Sequence, residues 1–406
     1  MSLSKPAIRQ LPKNVIVLTL TSFLTDVSSE MLFNLLPLFL YNVLGVSTAA
    51  IGVVEGVAET TSSLLKIYAG GLSDRLEKRK TLATIGYSIS SIAKPFLFFA
   101  NSWLWVLIVR FGDRVGKGVR TAPRDALLSA SIKKEQRGLA FGLHRAGDTA
   151  GAFTGLAIAT LIIAASQSGE SVLTRITFQH VVLASIIPGF LSVLIIGLGA
   201  REASPAVDRS MVAQPKVKID RRFYSFISVV TLFTLGNSSD AFIILRGQER
   251  GLNVIQVMGM LLSFNAVYAL LSGPAGYLSD RIGRRRLLVA GWLIYSVIYL
   301  GFAIAQNGLE VWTLFGFYGL YYAMVEGVSR AFVADLVPAA QRGTAYGFYH
   351  AAVGLATLPA SLIAGVLWQG LLGWKGFGPS APFYFGAILA LLSSILLITY
   401  VKNPAV

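Results

Sequence analysis

Along the chain, apolar residues gather in runs of about twenty or more, parted by short polar stretches. A soluble chain of this length would break its apolar runs every ~5 to 15 residues. Twelve runs can be placed, near 14–43, 49–73, 81–101, 103–131, 137–165, 177–199, 222–246, 254–279, 287–306, 309–337, 343–370 and 381–401. Each is close to the ~20 residues that an α-helix needs to cross a bilayer. The pattern predicts an all-α integral membrane protein with twelve transmembrane helices.

The second half of the chain echoes the first at an offset of roughly 205 to 210 residues. Phe23–Met31 (FLTDVSSEM) answers to Phe233–Phe242 (FTLGNSSDAF), and Gly45-Val46-Ser47 to Gly251-Leu252-Asn253, where Ser47 and Asn253 suit helix N-caps. Gly70-Gly71-Leu72-Ser73-Asp74-Arg75 answers to Gly276-Tyr277-Leu278-Ser279-Asp280-Arg281, and Gln136–Gly142 to Gln341–Gly347. Between the halves, Ala200–Asp220 is polar and holds Pro205 and Pro215, so it reads as a linker. The expected organisation is a six-helix bundle over 1–199, a cytoplasmic linker over 200–220 and a second six-helix bundle over 221–406.

Composition agrees: 54% of the 406 residues are hydrophobic, 14% are charged, and mean hydropathy is +0.65. With no cysteine and three histidines, thiolate chemistry is excluded and a zinc enzyme has few ligands to draw on, so no metal site is expected. The net charge of +15 invites a nucleic-acid reading, but the basic residues sit between the apolar runs. If the N-terminus is cytoplasmic, 22 Lys and Arg fall on that side and Arg175, Arg246, Arg250 and Lys375 on the other. The positive-inside rule therefore places both termini in the cytoplasm and accounts for the charge without nucleic acid. The first apolar run follows a polar head and carries Asp26 and Glu30, which does not suit a signal peptide.

Gly70-x-Leu72-x-Asp74-Arg75-x-x-Lys78-Arg79-Lys80 and Gly276-x-Leu278-x-Asp280-Arg281-x-Gly283-Arg284-Arg285-Arg286 each follow the second run of a half. They resemble the signature loop of the major facilitator superfamily, with Glu77 where the family usually has glycine. Arg114-Val115-Gly116-Lys117-Gly118 resembles the R-x-x-Q-G motif of proton-coupled members, with lysine for glutamine. Gly147, Gly151 and Gly155 match only part of the fifth-span motif of drug/proton antiporters, since Asp148 interrupts it and the proline is missing. The resemblance implies two pseudo-symmetric bundles rocking about a central cavity, with Asp74, Arg75, Arg79, Asp280, Arg281 and Arg285 in gating roles.

Ionisable groups inside spans cost ~2.5 to 3.5 kcal/mol or more on insertion scales, so they face a cavity or a partner. They crowd the first half: Glu55, Glu59 and Lys66 become Leu261, Asn265 and Ser272 at the offset positions. Charges serving only the fold would be needed in both copies, so the asymmetry favours function. Asp26 and Glu30 stand four residues apart on one helix face, and two carboxylates held close in low dielectric cannot both ionise cheaply. Asp26 and Glu30, with Arg114 near by, are therefore expected to form a protonation switch. Glu55, Glu59, Lys66, Lys117, His144, Asp148, Asp240, Glu326 and Arg330 are expected to line the substrate cavity. A static salt-bridge network is the competing reading.

The sequence thus predicts a secondary active transporter, with no catalytic residues and no enzyme activity, for a small anionic or zwitterionic solute. A proton is the expected coupling ion and no other cofactor is required. The expected partners are the solute and the lipid bilayer of the cell membrane, with the protein acting as a monomer. A multidrug/proton antiporter and a lipid flippase on the same fold are the alternatives.

Overall fold

The computed structural model describes residues 11–76, 78–132, 137–167, 170–203, 220–338 and 341–401. Its helices are α1 (Lys13–Phe33), α2 (Thr48–Leu76), α3 (Arg79–Ala93), α4 (Trp103–Ala130), α5 (Arg137–Ser166) and α6 (Arg175–Gly199). They continue as α7 (Arg221–Gly236), α8 (Ala241–Glu249), α9 (Val254–Ile282), α10 (Arg284–Ile304), α11 (Gly308–Asp335), α12 (Arg342–Gln369) and α13 (Ala381–Tyr400). Since α7 and α8 divide one passage, the expected twelve passages and the all-α membrane class stand. No strand forms among the described residues; Leu371 and Trp374 make an isolated bridge.

Nine described helical segments are long and apolar enough to cross a membrane. The passages that fall short are α2, α4 and α11, which carry ionisable residues: α4 alone holds Lys117, Arg124 and Asp125 besides the buried Arg110, Asp113, Arg114 and Arg120. The repeated caps fold alike. Gly45 and Gly251 both take the left-handed conformation, at φ 62° and 96°, and turn the chain into the next helix. Ser47 Oγ then accepts from Ala50 N at 3.4 Å, and Asn253 and Gln256 close a capping box on α9.

Packing gathers the described residues into two compact units. The first comprises those of Met1–Leu35, Leu64–Ile162 and Arg175–Met211; the second comprises those of Leu36–Ser63, Ile163–Thr174 and Val212–Val406.

In the first unit, small residues let backbones meet. A Cβ on Gly151 would lie 2.4 Å from the Phe23 carbonyl oxygen, and one on Gly155 would lie 2.5 Å from that of Val27, so the glycine stripe of α5 is the face that receives α1. Gly86 and Gly116 do the same for α3 and α4. Hydroxyls then tie helices together: Ser28 donates to the Ser185 carbonyl and Ser91 to that of Gly189, each at 2.8 Å.

In the second unit, the first half of α2 lies on α12. Thr48 donates to the Gly365 carbonyl at 2.9 Å and Thr60 to that of Gly354 at 2.6 Å. Arg246 is wholly buried at the end of α8, where it donates to the Phe302 and Ala303 carbonyls at 3.0 Å and pairs with Glu249 at 2.7 Å. Each guanidinium nitrogen of Arg246 finds an acceptor, so the charge ties α8 to the end of α10.

Candidate functional site

The first unit buries a basic cluster around the C-terminal part of α1. Lys94 ends α3, is 1% exposed, and donates to the hydroxyls of Ser28 at 3.0 Å and Ser29 at 2.8 Å. The Arg110 guanidinium stacks 3.9 Å over the Phe33 ring and Arg114 lies 5.6 Å from it, both from α4. Six residues further along α4, Arg120 donates to Ser90 Oγ at 2.7 Å and covers the Tyr87 ring at 4.8 Å. The close approach of Gly116 to Gly86 makes this possible, because it sets α4 directly against α3. Asp113 is buried among Lys94, Arg114, Arg120 and Arg110, whose charges all act on it.

Beside that cluster lie the carboxylates. Asp26 and Glu30 share a face of α1, and both are half-buried. Glu30 Oε2 accepts from Asn34 Nδ2 at 2.7 Å. Asp26 feels the carboxylates of Asp148 and Glu30 and the cations Lys117 and Arg120. Arg114, expected near Asp26, lies over the Phe33 ring and acts on Asp113. His144 Nδ1 lies 3.6 Å from Asp148, and Arg124 is tied to Asp125 at 2.9 Å and to Ser22 at 3.1 Å. Lys66 is half-buried on the second half of α2.

The second unit offers a different chemistry. The passage formed by α7 and α8 breaks at Asn237–Asp240, and Ser239 Oγ accepts from the Ala241 N–H at 3.3 Å. The Asp240 side chain caps no backbone group and instead accepts from the Tyr318 hydroxyl at 3.1 Å. Around it stand Tyr295 and Tyr299, stacked at 4.0 Å, with Tyr318, Tyr321 and Tyr322 of α11. Glu55 and Glu59 add negative charge at Asp240. Glu326 accepts from Tyr268 at 2.6 Å and pairs with Arg330, as their spacing suggests.

At the repeated loops, Asp74 and Arg75 lie on the last turn of α2 but their side chains are outside the described residues, as are residues 204–219 of the linker. Arg79 opens α3, where the next amide, Lys80 N, donates to Glu202 at 3.1 Å. In the second copy Gly283, at φ 94°, turns the chain from α9 into α10. Arg284 meets Asp280 at 3.6 Å and also pairs with Asp335, while Arg285 donates to the Leu397 carbonyl at 3.2 Å and to that of Ile398. Arg281 covers the Tyr277 ring at 4.5 Å.

Sequence reasoning alone does not single out Lys94, Asp113 and Phe33 as one cluster, nor the tyrosines about Asp240, nor Arg284 as the partner of Asp280. A usable signal exists for the tyrosines: Tyr295 and Tyr299, and Tyr318 and Tyr322, recur at helical spacing inside apolar runs.

Comparison with known proteins agrees with this architecture. The profile described as the Major Facilitator Superfamily matches residues 18–257 and 223–406. An uncharacterized MFS-type transporter of Methanocaldococcus jannaschii is 37% identical over 396 residues, covering 96% of this chain and 95% of that protein. The multi-drug resistance efflux pump PmrA of Streptococcus pneumoniae is 24% identical over 335 residues, covering 80% and 82%. Among solved structures, a bacterial homolog of the human lysosomal transporter Spinster, inward-facing and unoccupied, superposes with a TM-score of 0.72 at 17% identity. That match covers 98% of this chain and 96% of the other, and shows the shared fold.

Proposed function

This chain belongs to the Major Facilitator Superfamily and is a multi-pass membrane transporter, and on that premise we propose that it moves a small anionic or zwitterionic solute by proton-coupled alternating access. The observation that carries the reading is the buried cluster of Lys94, Arg110 and Arg114 about Ser28, Ser29 and Phe33. A lysine and two arginines held inside a membrane segment are expensive to bury. Asp113 and Asp26 act on this cluster, and an anionic group entering it would meet three buried cations at once.

Asp26, Glu30 and Asp148 then provide the coupling. A proton taken up at Asp26 changes the charge of a group that also holds Glu30, Asp148, Lys117 and Arg120. Such a group changes its charge when its neighbours move, which links protonation to conformation. The loop contacts of Arg284 and Arg285 with Asp280, Asp335 and the end of α13 serve as gating contacts that exchange during the cycle. The protein lies in the cell membrane with both termini in the cytoplasm.

Uptake or efflux of labelled carboxylic and amino acids in proteoliposomes, driven by an imposed pH gradient, tests this function. Accumulation should follow the gradient, and Glu30→Gln should flatten its pH dependence. Transport indifferent to the gradient in the parent protein would remove proton coupling from the account.

A multidrug reading has one specific support, the similarity to an efflux pump. Efflux of lipophilic dyes that competes with carboxylate transport would favour it.

A further inference from the structure

We propose that the second unit carries a binding subsite for an organic ammonium group, formed by Asp240 and the rings of Tyr322, Phe264 and Tyr268. The inference rests on the transport reading above and concerns the second unit by itself.

The broken passage puts the carboxylate where it is. An aspartate at a helix N-terminus ordinarily accepts from backbone N–H groups of the first turn. Here the Ser239 hydroxyl accepts from the Ala241 N–H, and Asp240, at the head of α8, makes no such bond. Its carboxylate points into the tyrosines, held by the Tyr318 hydroxyl at 3.1 Å, and stays half-buried.

The rings around it divide into two groups. Tyr295, Tyr299 and Tyr318 are wholly buried and form a stacked wall. Tyr322, Phe264 and Tyr268 keep part of their surface open. Tyr322 stands edge-on to Tyr318 at 5.1 Å, to Phe264 at 5.3 Å and to Tyr268 at 6.2 Å. An aromatic face is negative at its centre and attracts a cation within about 6 Å, most strongly when water is excluded. A carboxylate beside such faces is the arrangement that recognises an alkylated ammonium.

The electrostatics of the unit favour a cation. Glu59 and Glu55 of α2 add negative charge at Asp240. Glu326 lies on the same side of α11 as Tyr322, at the spacing of one turn, and is bound by Tyr268 and Arg330. The arginine Arg246 is consumed at the end of α8 by the α10 carbonyls and Glu249.

Three related compounds separate this subsite from the basic cluster of the first unit. Choline is a cation, glycine betaine is a zwitterion with the same trimethylammonium head, and 3,3-dimethylbutyrate is the uncharged-head carbon isostere of betaine. Thermal unfolding of the full-length protein in detergent, with millimolar additions of each, reports binding by mass action. Choline and betaine should raise the melting temperature, and Asp240→Asn should weaken both by about tenfold or more. Tyr322→Leu should do the same, and Tyr322→Phe, which keeps the ring, should retain the response.

Shifts from betaine and 3,3-dimethylbutyrate that are equal, and equal again in Asp240→Asn, would overturn the ammonium subsite while leaving anion binding in the first unit intact. Choline binding that depends on Asp240, with no response to 3,3-dimethylbutyrate, would support the subsite and count against the anion site. Absence of any shift with choline and betaine in the folded parent protein would also overturn the ammonium subsite.

Discussion

Replacing Asp113 with leucine is expected to destabilise the folded protein more than any other single charge removal in the membrane interior. Asp113 is 2% exposed, and Lys94, Arg114, Arg120 and Arg110 all act upon it. Removing the carboxylate leaves those cations facing one another in a medium that cannot solvate them. Breaking a buried ion pair by deleting one partner costs about 3–5 kcal/mol, and here several partners lose their counter-charge together. Asp113→Leu should therefore reduce the fraction of monodisperse protein in detergent and lower its melting temperature by many degrees. The double variant Asp113→Leu with Lys94→Met should recover part of the loss, because it removes a charge of each sign. A melting temperature unchanged in the single variant would mean that Asp113 does not neutralise the cluster.

Gly116→Val should come second. The crossing of α3 and α4 is backbone against backbone: a Cβ on Gly116 would lie 2.5 Å from the Gly86 carbonyl oxygen and 2.7 Å from the Ser90 amide nitrogen. Backbone cannot yield as a side-chain tip can, so the helices must separate. Overpacking of this kind costs about 1–3 kcal/mol and sometimes more, and here it also carries Arg114 and Arg120 away from Phe33, Tyr87 and Ser90. The expected result is a lower melting temperature together with loss of ligand-induced stabilisation. Gly112→Ala, one turn earlier on α4, where an added Cβ meets only Ala93 at 3.6 Å, should be nearly silent. Equal behaviour of the two variants would show that the crossing does not depend on Gly116.

The twelve passages are legible in the sequence because a bilayer imposes a length on every apolar run, and the repeated Gly45-Val46-Ser47 and Gly251-Leu252-Asn253 turns are legible because glycine and a capping side chain have one conformational use there. The break at Asn237–Asp240 is hidden inside an apolar run of spanning length, since Ser239 satisfies the freed amide locally and leaves hydropathy unchanged. Spacing also finds faces but not partners. Asp26 with Glu30, His144 with Asp148 and Glu326 with Arg330 lie on one helix each, and their proximity follows from the helical repeat. Which of Arg114, Lys117 and Arg120 reaches Asp26 depends on how α4 is rotated against its neighbours, and that rotation is fixed by Gly116 meeting Gly86. Lys94 escapes for a related reason: it sits where α3 gives way to a tighter turn over Lys94–Phe99, so helical periodicity does not place its amine beside Ser28 and Ser29.

The central claim is that the cluster around Lys94 receives the anionic group of the solute. It is tested most directly by the thermal stability of the purified protein against a panel of small carboxylates and zwitterions, in the parent, in Lys94→Met and in Lys94→Arg. At least one anionic compound should stabilise the parent. Its binding should weaken by at least about 2 kcal/mol in Lys94→Met, as for a truncated partner of a buried charge pair, and be kept in part by Lys94→Arg. Folded Lys94→Met protein that binds the same anions as well as the parent does would contradict the account.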